Sequence, residues 1–136
     1  MGGGYFSCGR WMGDDKTASA FFDVLDGLEE ETITEDERIL WETECAAPLR
    51  SQLGECDEDE LPFLELSRTM LDVLMPPARR YFDVLNDRLG HPDPSTWHAI
   101  GESRAGEGWQ LMCLHDLFQA YDASCNSDKP VVIHFD

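Results

Sequence analysis

Val131-Val132-Ile133-His134-Phe135 decides the fold class of this chain. Val131, Ile133 and Phe135 alternate with Val132 and His134, which is the period of a half-buried strand. Asn126-Ser127-Asp128 supplies the turn that leads toward it. A lone strand is not stable in water and requires a partner. The sequence offers two: the aromatic segment near residues 5–8, and Trp97-His98-Ala99-Ile100. One such strand in a chain otherwise patterned for helices predicts an α+β domain, predominantly helical. It should have about five helices and a small two- or three-stranded sheet that includes residues 131–135.

Moving toward the N-terminus, Leu111, Leu114, Phe118 and Tyr121 recur at helical spacing and predict a helix over 109–124. Residues 91–108, rich in proline, glycine and serine, read as a long loop, and long loops in compact domains tend to be functional. Tyr81, Phe82, Leu85 and Leu89 form a helical stripe that Pro76-Pro77 starts and Gly90 stops. Arg79 and Asp83 are spaced to pair on it. Phe63, Leu64, Leu66, Met70, Leu71, Val73, Leu74 and Met75 predict a nearly buried central helix, with Pro62 in its first turn.

Thr34 followed by Glu37 is a capping-box pattern, and Glu35, Asp36 and Glu37 suit the positive end of a helix dipole. Ile39, Leu40, Ala46, Leu49 and Leu53 predict the apolar side of that helix, with an Arg38–Glu42 pair outside. Pro48 should end or kink it. A first helix over 17–28 follows from Phe21, Phe22, Leu25 and Leu28, capped by Thr17 or Asp15. Glu29-Glu30-Glu31 reads as an acidic turn after it. The glycine-rich start, with Tyr5, Phe6, Trp11 and Met12 embedded, predicts a flexible beginning that then docks on the body.

The 136 residues suit one acidic globular domain, and 42% apolar content excludes a disordered chain. No run approaches the roughly 18 apolar residues of a membrane span. The first residues do not combine a basic region, an apolar stretch and a small-residue cleavage site. Met1-Gly2 invites a lipidation reading, but position 6 is Phe6 where that motif requires Ser or Thr. Cys8, Cys45, Cys56, Cys113 and Cys125 are odd in number and widely spaced, which fits reduced thiols better than a disulfide scaffold. The expectation is a cytoplasmic protein.

Net charge is −18, and its distribution is uneven. Residues 14–65 carry 18 acidic side chains against Lys16, Arg38 and Arg50. Concentrating like charge costs stability through self-repulsion, and a basic partner compensates for that most simply. The sign disfavours direct binding to a nucleic-acid backbone.

No motif specifies a reaction. His91, His98, His115 and His134 are scattered, so no metal is expected, and no cofactor. A calcium loop counted from Asp57 fails, because Pro62 and Arg68 stand where Gly and Glu are needed. Cys113 and His115 are two residues apart on a helix and point to different faces, against a nucleophile–base pair. The segment Gly101–Gly108 lacks a phosphate-binding lysine and carries two glutamates.

The function expected from these residues is binding rather than catalysis. The acidic residues Glu29, Glu30, Glu31, Glu35, Asp36, Glu37, Glu42, Asp57, Glu58, Asp59 and Glu60 are the candidate contact set for a basic protein, either a toxin or a nucleic-acid-binding enzyme. A bacterial toxin immunity protein, an antitoxin, or a phage-type nucleic-acid mimic would occlude an active cleft in this way. Trp41 and Phe63, near those acids, read as core. Two other classes compete: a small enzyme or ligand-binding domain using His98, Arg104 and His134 near the 91–108 loop, and a structural subunit whose acidity reflects habitat.

Overall fold

The computed structural model describes residues 4–13, 17–54, 63–103 and 106–135. The described residues form five helical segments and a four-stranded antiparallel sheet, an α+β architecture dominated by helix, with the first and last helices packed directly on the sheet. The strands are β1 (Gly4–Cys8), β2 (Trp11–Met12), β3 (Phe63–Leu66) and β4 (Val131–Phe135), in the order β2-β1-β4-β3. The C-terminal strand therefore lies in the middle. Ile133 stands opposite Phe6 on one side and Leu64 on the other. All three are fully buried, while Val132 and His134 face outward.

The partner of β4 is thus the N-terminal aromatic segment, together with a strand not anticipated from the sequence. Residues 63–66 were expected to open the central helix. Instead, Leu64 and Leu66 are buried and Phe63 and Glu65 exposed, the alternation of a strand at the sheet margin. Ser67 then caps the helix by accepting from the Met70 N–H at 3.3 Å. The outer edge of β3 is closed by one side chain. Gln52 donates to the Glu65 carbonyl and accepts from its N–H, both at 2.8 Å, so an edge open to strand addition is already occupied.

Helix α3 (Arg68–Leu89) continues without interruption across Pro76-Pro77, where a break was expected. Its buried stripe of Met70, Leu71, Leu74, Met75, Ala78, Tyr81 and Leu85 keeps one helical phase on both sides of the prolines. Burial along that stripe outweighs a cost of about 3 kcal/mol for an interior proline. Gly90 ends the helix in the left-handed region at φ 78°, as expected.

Helix α1 (residues 17–32) comprises a 3₁₀ turn Thr17–Ala20, the α-helix Phe21–Gly27 and a wider π turn Leu28–Thr32. Glu29-Glu30-Glu31 therefore belongs to the helix, not to a turn after it. Helix α2 (residues 35–54) carries a second π turn, Glu42–Ala46, in which the Ala47 N–H bonds to the Glu42 carbonyl. That bulge resets the ladder just before Pro48, so its missing N–H falls in the first turn of the following α-helical stretch.

Helix α4 (Trp97–Ser103), preceded by a 3₁₀ turn Pro94–Thr96, occupies the segment expected to be loop with a short strand. Asp93 accepts from the Ser95 N–H at 2.9 Å and from its hydroxyl at 2.8 Å, with Pro94 opening the turn. Trp97 is then buried edge-on against Phe82 and His115. Helix α5 (Glu107–Ser127) packs against α4, α3 and the sheet, and brings Leu111, Leu114 and Leu117 into the core. Among the described residues no helix is long and apolar enough to cross a membrane.

Candidate functional site

Of the acidic residues singled out from the sequence, Glu29, Glu30, Glu31, Glu35, Asp36, Glu37 and Glu42 gather on α1 and α2 because one short link, Ile33-Thr34, joins the two helices. Thr34 accepts from the Glu37 N–H at 3.3 Å, and the Glu37 carboxylate accepts from the Thr34 N–H at 3.0 Å, which completes the capping box. Arg80 of α3 donates to the same carboxylate and, at 2.9 and 3.2 Å, to the Thr32 carbonyl. Partial burial alone would push the Glu37 carboxyl up. The Thr34 N–H and the Arg80 guanidinium outweigh it and hold the group below its ordinary value of 4.5. Thr32 also donates its hydroxyl to the Pro77 carbonyl at 3.1 Å, so the α1–α2 corner is tied to α3 at three points.

The remaining acids divide into paired and unpaired. Glu31 pairs with Arg88 at 2.5 Å, and Glu42 pairs with Arg50, not with Arg38 as its spacing suggested. Glu29 accepts from the buried Trp41 indole at 3.1 Å. Glu30, Glu35 and Asp36 are exposed and have no ion-pair partner among the described residues. Asp57, Glu58, Asp59 and Glu60 lie outside the described residues.

Tertiary packing adds acids that the contact set did not include. Asp23 and Asp26 share a face of α1 with Glu30, and α5 brings in Glu107 from the far end of the chain. With Glu31 they line an open polar cavity of about 350 Å³. Arg88 is the one basic side chain among its described lining residues, and Tyr81 also lines it, donating to Gln110 Oε1 at 2.7 Å. Burial and the nearby Glu31 push the Tyr81 phenol up to about 12, so it stays a neutral donor at any ordinary pH. The 23, 26, 30 spacing was a readable signal for one helical face. The arrival of Glu107 was not.

A second, apolar groove of about 120 Å³ lies between α1 and α2, lined by Phe22, Leu25, Trp41, Ala46, Leu49 and Leu53, with Asp26, Glu29 and Arg50 at its margin. Asp26 borders both concavities. Trp41 is core as expected, whereas Phe63 is half exposed on the outer face of the sheet. Ile39 and Leu40, expected on the buried side of α2, are 82% and 54% exposed. The neighbouring Trp41 takes the buried position instead.

His98 and His134 sit on different elements. His98 lies on α4 against the Trp109 ring, with centroids 4.8 Å apart. His134 lies on the sheet, stacked on Tyr5 at 4.6 Å and bonded to the Ser7 hydroxyl at 2.9 Å. Arg104 lies outside the described residues. Cys113 is fully buried while His115 is half exposed, so the two do face apart. Burial, with Asp116 nearby, pushes the Cys113 thiol up, and burial with Glu29 pushes the Cys45 thiol up to about 12. Arg79, expected to pair with Asp83, lies over the Phe118 ring at 5.6 Å. Among the described residues no three His, Cys, Asp or Glu side chains converge as metal ligands. No family model, no curated protein and no solved structure matches this chain.

Proposed function

We propose that this chain is a binding protein rather than an enzyme. It neutralises a basic protein partner in the cytoplasm by laying the acidic surface of α1 and α2 across that partner's active cleft. An immunity protein for a toxin, an antitoxin and a nucleic-acid mimic all work in this manner, and the target is a toxin or a nucleic-acid-binding enzyme.

The observation that carries this reading is the set of exposed carboxylates of Glu30, Glu35 and Asp36, which form no ion pair among the described residues. Arg80 and Arg88 of α3 pair with Glu37 and Glu31 and so link both acidic helices to α3, while Arg50 pairs with Glu42 within α2. The carboxylates left over repel one another, and a cationic surface relieves that repulsion while steering the encounter.

The test is retention of a partner from the native lysate by the tagged protein at low and then high ionic strength. One basic protein, held at low salt and released at high salt, is expected. The variant combining Glu30→Gln, Glu35→Gln and Asp36→Asn should lose it. The captured protein's activity should fall in proportion to added wild-type chain. Recovery of no basic protein at either salt overturns the proposal.

A further inference from the structure

We infer that the apolar groove between α1 and α2 is the anchor point for that partner, and that its occupant is a basic protein segment carrying an aliphatic side chain flanked by arginine or lysine. The inference rests on the acidic-surface reading and deepens it.

Phe22, Leu25, Leu49 and Leu53 form the apolar walls of a concavity beside the exposed carboxylates of α1 and α2, whereas the exposed Ile39 and Leu40 of α2 lie outside it. Phe22 is 38% exposed there, although a phenylalanine in the interior contributes substantially more to stability. The concavity of about 120 Å³ has room for roughly one aliphatic side chain. A small apolar centre within a charged rim is the anatomy of an interface hot spot, in which the rim selects the partner and the centre holds it.

Charge identifies the occupant. Asp26 and Glu29 stand at the groove margin, and the 350 Å³ acidic cavity begins on the other side of Asp26. A segment that seats a leucine between α1 and α2 therefore brings its neighbouring cations within reach of Asp26, Asp23 and Glu30. An acidic or neutral segment would leave the aliphatic pocket equally filled but would face uncompensated carboxylates. Arg50 is the single cation among the described residues at the margin. It is exposed and bound to Glu42, so it works against a basic occupant.

The probe is a short labelled synthetic peptide with leucines on one helical face and arginines on the other, titrated with the full chain at low salt and followed by fluorescence anisotropy. Two control peptides replace its leucines by serine or its arginines by glutamate. The basic leucine peptide should bind at least about tenfold more tightly than either control. Phe22→Ser should weaken it about tenfold, and Ile39→Ser, on the exposed side of α2, should leave it unchanged. Arg50→Gln should tighten binding about threefold, a gain that a folding defect cannot imitate.

Equal binding of the leucine and serine peptides, insensitive to Phe22→Ser but weakened by Glu30→Gln with Glu35→Gln and Asp36→Asn, overturns the groove and leaves the acidic-surface reading standing. Binding of neither basic peptide overturns both.

Discussion

The indole N–H of Trp41 donates to Glu29 Oε1 across 3.1 Å, joining the buried face of α2 to the acidic end of α1. Trp41 is only 3% exposed, so its N–H has no ready substitute partner in water. Glu29→Ala should cost about 1–3 kcal/mol, the usual penalty for orphaning a buried donor. Glu29→Gln keeps an acceptor and should cost under about 1 kcal/mol. Urea titrations of the two variants check this. Equal losses would mean that the carboxylate contributes by charge and not as an acceptor.

Gly27 sets the distance between α1 and α3. A Cβ there would fall inside the van der Waals envelope of the Tyr81 ring, which is buried and bonded to Gln110. Alanine is favoured over glycine in a helix by about 1 kcal/mol, but overpacking costs about 1–3 kcal/mol. Gly27→Ala should therefore destabilise, and should also reshape the acidic cavity that Gly27 and Tyr81 line. A thermal melt gives the sign directly, and a rise in Tm would show that the ring moves aside freely.

Pro76 is exposed in the middle of an unbroken helix, whereas Pro77 is buried and its carbonyl accepts from Thr32. Pro76→Ala should raise stability by about 1–2 kcal/mol. This is the helix penalty of roughly 3 kcal/mol for proline, less about 1 kcal/mol for the stiffness that proline lends the unfolded chain. Loss of stability in denaturant unfolding would show instead that a bend at Pro76 is needed to bring the two halves of α3 onto the core.

Glu37 couples the α1–α2 corner to pH. Its folded-state value lies below its ordinary value of 4.5, because Thr34 and Arg80 together outweigh the effect of burial. The ionised form is therefore bound more tightly in the folded chain. Its contribution is full above about pH 4.5 and disappears as pH falls through the lowered folded value. The pair is partly exposed, so the effect should be under about 1 kcal/mol. Glu37→Gln should flatten this part of the acid limb of a stability–pH curve, and an unchanged limb would place the coupling elsewhere.

The elements that could be read locally were the ones formed locally. Thr34 and Glu37 formed their capping box, Gly90 stopped its helix, and Val131 and Ile133 alternated inward as a strand, because each depends on neighbours within a few residues. Three segments were misread where a distant contact outvoted a local signal. Leu64 and Leu66 carry a pattern equally compatible with helix and strand, and pairing with Val131 and Ile133 decided it. Pro76-Pro77 signals a break, yet the buried stripe continued across it. For residues 97–100, the Asp93–Pro94 helix start was an available local signal, and burial of Trp97 against Phe82 and His115 reinforced it.

The candidate site divides along the same line. The sequence by itself determined that this chain is acidic, that the acids concentrate in residues 14–65, and that Glu35, Asp36 and Glu37 open a helix, because charge and capping are properties of order along a chain. Only the tertiary structure decided which carboxylates are neutralised by Arg50, Arg80 and Arg88, that Glu107 joins Asp23 and Asp26 around one cavity, and that an apolar groove opens beside them. Those are distances between elements remote in sequence, set by which faces the core buries, and no periodicity records them.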